Sequence, residues 1–132
     1  MNIRTAFFAV AALAFVAGPA LAEDLNGGLV KTATIDGKEA LTAAANGMTL
    51  YIWDKDAVGV TNCYEQCAVN WPPLLAEAGA TASGDFTVVA RTDGTAMWAY
   101  KGWPLYYWIQ DTAPGQATGE GKGGGTWHVA VK

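Results

Sequence analysis

The sequence predicts an all-β fold, a small sandwich or barrel built from two tandem β-repeats of about 55 residues. Three observations carry this. First, a phrase occurs twice: LYIWDKD at 50–56 and LYYWIQD at 105–111. Aligning Gly47 with Gly102 gives five identities in ten positions, where ordinary residue frequencies give about one. With one residue inserted, Gly59 then meets Gly115 and Trp71 meets Trp127. Second, turn dipeptides punctuate both units. Asp36-Gly37 matches Asp93-Gly94, and Asn46-Gly47 matches Lys101-Gly102. Asp-Gly and Asn-Gly are expected as two-residue hairpin turns, which need positive φ at both positions. Third, the runs between turns alternate with a period of two, which suits strands.

The elements follow in order. Residues 1–22 are expected to be a secretory signal peptide. Arg4 gives a positive start, an apolar run covers 6–17, and Ala20-Leu21-Ala22 is a small-x-small cleavage signal. Cleavage after Ala22 leaves Glu23 first, with no cysteine there for a lipid anchor. Residues 23–132 are expected to be one all-β domain, with repeats at about 29–75 and 84–131. KEALTAAA (38–45) has helix-forming residues, but turn signals close together on both sides favour a strand. LYIW places Tyr51 and Trp53 on one face, Leu50 and Ile52 on the other. CYEQCAVNW (63–71) allows a short helical turn. FTVVART (86–92) and TAMWAY (95–100) read as strands, the latter with Trp98 and Tyr100 on one face.

Composition excludes some functions. Without Arg4, seven basic residues stand against twelve acidic ones, a net charge of −5. An acidic chain without a basic cluster argues against nucleic acid and anionic lipid. No second long apolar run offers a membrane span. The expected location is periplasmic or secreted. Two cysteines in an exported chain favour a disulfide, Cys63–Cys67.

The candidate residues each have a structural and a functional reading. Asp56 and Asp111 precede glycine turns, where a carboxylate accepts backbone N–H groups. The alternative is a shared cation or ligand site, although Asp54-Lys55-Asp56 is too sparse for a calcium loop. Tyr51, Trp53, Tyr106 and Trp108 are expected to pack where the units meet. Trp98, Tyr100 and Trp103 are the better candidates for an aromatic ligand-binding platform. Cys63, Cys67 and His128 form the alternative metal set, since thiolate and imidazole suit copper. The glycine tract at 119–125 fails as a phosphate loop, because Lys122 is followed by Gly. It reads as a flexible or tightly turning connector. No nucleophile and base share a recognisable pattern, so no enzyme activity and no cofactor are expected.

The matched Tyr51-x-Trp53-x-x-Asp56 and Tyr106-x-Trp108-x-x-Asp111 resemble the secreted-repeat family, described as predicted lipoproteins with a Tyr-x-(Phe/Trp/Tyr)-x-x-Asp motif. So do Cys63-x3-Cys67-Ala-x2-Trp71-Pro-Pro73, Arg91-Thr-Asp93-Gly94-Thr95 and Trp127-His128. The resemblance covers about 29–131 and implies no activity. The expectation is a non-catalytic exported module that binds a small molecule or an envelope protein through an aromatic-rich face. The alternative is a periplasmic copper-binding or thiol-redox protein.

Overall fold

The structure, a computed structural model, describes residues 21–132. The signal peptide expected over 1–22 lies, apart from its last two residues, outside the described residues. The all-β expectation holds. Strands β1 (Asp24–Leu25), β2 (Val30–Ile35) and β3 (Lys38–Ala43) form one antiparallel sheet. β4 (Tyr51–Trp53) follows, then a short helix α1 (Gln66–Asn70). β5 (Phe86–Ala90), β6 (Ala96–Tyr100) and β7 (Trp103–Pro104) form a second antiparallel sheet. β8 (Trp127–Val129) pairs antiparallel with β4, so the end of the second repeat lies against the motif of the first.

That exchange is reciprocal. In the first half, Asp54 N–H donates to Thr126 O at 2.8 Å. In the second half, Ile109 N–H donates to Asn70 O at 2.9 Å, and Tyr107 N–H to Pro72 O at 2.7 Å. A closed triangle of backbone bonds joins Leu41, Ala130 and Leu50, at 2.8, 2.9 and 2.9 Å. Its counterpart joins Trp98, Leu74 and Leu105, at 2.9, 2.9 and 3.0 Å. Each repeat thus supplies a hairpin and a motif strand, and borrows its last strand from the other.

Alternation sorts the side chains into two cores. Tyr51, Trp71, Val89, Met97, Tyr106, Trp127 and Val129 pack in one, with Trp53 and Trp108 at its margin. Leu41, Leu50, Phe86, Trp98, Tyr100 and Leu105 pack in the other. The turns are less uniform than the dipeptides suggest. Asp36-Gly37 and Lys101-Gly102 are two-residue hairpins with both φ positive (50° and 77°, 51° and 88°). Asp93-Gly94 and Asn46-Gly47 sit in longer turns, where only the glycine has positive φ. There the Asx side chain does the tightening, since Asp93 Oδ1 accepts Thr95 N–H at 3.0 Å and Asn46 Oδ1 accepts Met48 N–H at 3.0 Å.

Candidate functional site

The two motif strands meet back to back. Tyr51 N–H donates to Tyr106 O at 2.8 Å, and Tyr106 N–H donates to Tyr51 O at 2.9 Å. The alternation that buries both tyrosines lets each hydroxyl reach the other repeat's aspartate inside the protein. Tyr51 OH donates to Asp111 Oδ2 at 2.6 Å, and Tyr106 OH donates to Asp56 Oδ2 at 2.6 Å. The second carboxylate oxygen holds the turn that follows. Asp56 Oδ1 accepts Asn62 N–H at 2.8 Å. Asp111 Oδ1 accepts Thr118 N–H at 3.0 Å and the Thr118 hydroxyl at 2.6 Å. Asp56 and Asp111 therefore do not share one site. They cap separate turns and brace opposite tyrosines.

The electrostatics differ between the halves. Burial, followed by the carboxylate partner, pushes both phenols well above the ordinary tyrosine range, so they stay protonated donors. Burial also raises the Asp56 carboxyl, opposed by its bonds from Tyr106 and Asn62 and by the Arg91 charge. Arg91 is 5% exposed. Its Nη2 donates to Cys63 O at 2.9 Å, and its guanidinium lies 4.4 Å from the Tyr64 ring centre. Sequence reading missed this buried cation. Arg91 follows β5 directly, two residues on from the buried Val89, and that spacing was the available signal.

Four indoles stack in one column, in the order Trp53, Trp127, Trp71, Trp108. Successive ring centres are 4.9, 3.8 and 4.1 Å apart, with planes 6°, 3° and 28° from parallel. The inner pair comes from the two exchanged tails and the outer pair from the two motifs. Tyr51 meets Trp71 edge-on at 5.3 Å, and Tyr106 meets Trp127 edge-on at 5.1 Å. The glycine tract packs along the side of the column. A Cβ on Gly119 would sit 2.8 Å from Trp71 and 3.0 Å from Trp108. The stretch Lys122–Gly125 contains left-handed Gly123 and Gly124, so it is a tight turn and not a regular helix.

The copper set does not assemble. The Cys63 and Cys67 sulfurs lie at disulfide distance from each other, with Cα atoms 5.2 Å apart. Cys63 lies outside α1, separated from it by Glu65 at φ 54°. That kink brings together two side chains that a regular helical turn would leave too far apart. His128 is held elsewhere, with Nε2 2.9 Å from Asp54 Oδ2 and Nδ1 3.0 Å from Glu120 Oε2. Both partners are carboxylates, an arrangement that favours the protonated ring. The Asp54 bond leads in raising its pKa above the usual histidine value. Among the described residues no group of three or more His, Cys, Asp and Glu is placed to hold a metal.

The three residues expected to form an aromatic platform are placed unequally. Trp98 and Tyr100 are only 5% and 8% exposed, and Tyr100 packs on Phe86 at 5.0 Å. Trp103 is half-buried on the adjoining hairpin. Trp98 does reach one concavity, an apolar groove of about 830 Å³. Leu29, Ala44, Leu74 and Ala80 form its walls, and Trp98 and Tyr107 line it as well. Burial raises the Tyr107 pKa, and the Asn46 side chain offsets part of that. The alanines that open this space come from the end of β3 and from the connection between repeats. Small side chains in a loop carry no sequence signal of a cavity.

A family model described as a secreted repeat of unknown function matches residues 31–75 and again 87–131. Neither a curated protein nor a solved structure matches the chain. No helix among the described residues is long and apolar enough to cross a membrane.

Proposed function

Because the chain belongs to this family of secreted repeats, we propose that it is a non-catalytic exported module that binds a small, largely apolar molecule in the groove beside Trp98 and Tyr107. The carrying observation is the groove itself. Its volume of about 830 Å³ falls within the roughly 300–1,000 Å³ typical of small-molecule sites. Its lining combines alanine and leucine with two aromatics, and Glu77 is the one charged residue among the described residues that line it. Burying apolar ligand surface there gains about 25 cal/mol per Å² before ordering costs. Among the lining residues, Tyr107 brings a hydroxyl and Glu77 a carboxylate that can orient the ligand.

An uncharged probe suits an acidic chain. N-phenyl-1-naphthylamine should bind saturably at one site and quench tryptophan fluorescence. Ala80→Trp, which fills the groove at its rim, should abolish binding while the thermal transition stays in place. Probe binding that does not saturate, or that survives Ala80→Trp in folded protein, removes this reading.

A further inference from the structure

We propose that the tryptophan column and its two carboxylate-bonded tyrosines form a relay for an oxidising equivalent, running from the half-buried indoles at either end to the buried phenols. Four indoles in continuous face-to-face contact, 3.8–4.9 Å between ring centres, share π overlap over the width of the core. Electron transfer between neighbours at such contact is far faster than escape to solvent. The outer members, Trp53 and Trp108, are half-buried and accessible at their edges, while Trp71 and Trp127 are 5% and 3% exposed.

The proton decides where the hole comes to rest. An oxidised indole is stabilised by losing its N–H proton to a base. Among the described residues, Trp53 N–H donates to the Thr126 hydroxyl at 3.2 Å, the buried Trp108 N–H has no partner, and neither end has a base. Each tyrosine does, since each phenol already points its proton at a carboxylate 2.6 Å away. Each tyrosine ring also touches an inner indole edge-on.

The step balances as follows. A one-electron oxidant, of the class of oxygen-centred radicals, takes one electron from Trp53 or Trp108 and is itself reduced by one. The indole radical cation passes along the stack by successive electron transfers from its neighbours. Tyr51 or Tyr106 then gives an electron to the adjoining indole and its phenolic proton to Asp111 or Asp56. The products are a neutral tyrosyl radical, a protonated aspartate and a restored indole. Asp56 and Asp111 thus gain a role beyond capping their turns.

The test uses photogenerated ruthenium(III) tris-bipyridine as the oxidant, excited with visible light because ultraviolet excitation of the indoles can itself drive reduction of the neighbouring cystine. Transient absorption and electron paramagnetic resonance read the radical. The native protein should yield tyrosyl radical, and Tyr51→Phe/Tyr106→Phe should lose at least half of it and accumulate tryptophan radical. Asp56→Asn/Asp111→Asn should do the same with the fold verified by circular dichroism, because an amide accepts the hydrogen bond without taking the proton. Trp53→Phe/Trp108→Phe, altered only at the column's ends, should slow the appearance of tyrosyl radical severalfold. Tyrosyl yield unchanged in the phenylalanine pair or in the folded asparagine pair overturns the proposal, as does a rate untouched by removing the end indoles.

Discussion

At the scale of single residues, the two Tyr–Asp bonds are what make one repeat depend on the other. A hydrogen bond to a buried carboxylate contributes about 1.5–3 kcal/mol. A double-mutant cycle of Tyr51→Phe and Asp111→Ala should return a coupling of about that size in denaturant titrations. Asp56→Ala should cost more than Asp111→Ala, since it also removes a buried negative charge that the buried Arg91 feels, leaving it the more exposed Asp93 at 3.6 Å. Equal losses at the two sites would show that Arg91 is balanced without Asp56. His128 should make stability depend on pH in a defined window. Its folded pKa lies above the unfolded value, led by the Asp54 bond. Its contribution is therefore complete below about 6.5 and fades as pH rises through the folded value. Glu120 sets the other side. Partial burial works against its ionisation, but the Val129 N–H and His128 outweigh it and lower the pKa. Its contribution is present above the ordinary glutamate range and fades as pH falls through the lowered value. His128→Gln should flatten the alkaline limb of a melting-temperature profile, and nuclear magnetic resonance titration of the single imidazole checks the direction. The identities of these residues are plain in the sequence, as are the faces on which Tyr51 and Trp53 lie. Their partners are not. A duplicated motif offers two equivalent aspartates to each tyrosine, and period-two alternation does not choose between them.

At the scale of elements, the two loops after the motifs solve one problem by different means. Each must bring its following tryptophan, Trp71 or Trp127, back under the motif strand. The first loop does so with α1 and the Cys63–Cys67 pair, the second with consecutive left-handed glycines. The two kinds of glycine in that tract should behave differently. Gly119→Ala drives a methyl group into two indoles and should cost about 1–3 kcal/mol, as overpacking does. Gly124→Ala meets nothing within 4 Å, and its left-handed backbone should cost only about 1 kcal/mol. Chemical denaturation ranks them, and a milder loss at Gly119 would mean that the column yields easily. Thiol titration of the unfolded, unreduced protein should find no free cysteine. Cys63→Ser/Cys67→Ser should lose about 2 kcal/mol, little because the closed loop is short. Strands β2 to β6 were readable because alternation and turn residues agree there. The tight packing of the glycine tract was not, because glycine has the same appearance whether it sits in a slack linker or beneath a ring.

At the scale of the whole molecule, reciprocal tails weld two repeats into one cooperative body. Neither 23–78 nor 79–132 retains its own closing strand, so each fragment alone should lack the near-ultraviolet tryptophan signal of the stack. Mixed, the two should restore it and run as a one-to-one complex in native mass spectrometry. A fragment that folds alone would refute the exchange. Unfolding of the intact chain should be a single transition by both far- and near-ultraviolet circular dichroism. The tandem organisation was legible from the alignment of Trp71 with Trp127, but the crossing was not, since a tail closing on its own motif satisfies the same pattern. The exchange also has a bearing on how such a chain can arise and change. Two copies of a single-repeat gene product, associating as a symmetric pair, would make this same set of contacts. Splicing the copies end to end keeps the architecture and removes the requirement that its halves be identical. Arg91, the cystine and the glycine tract, each present in one half only, are the kind of divergence that fusion permits and a true homodimer forbids.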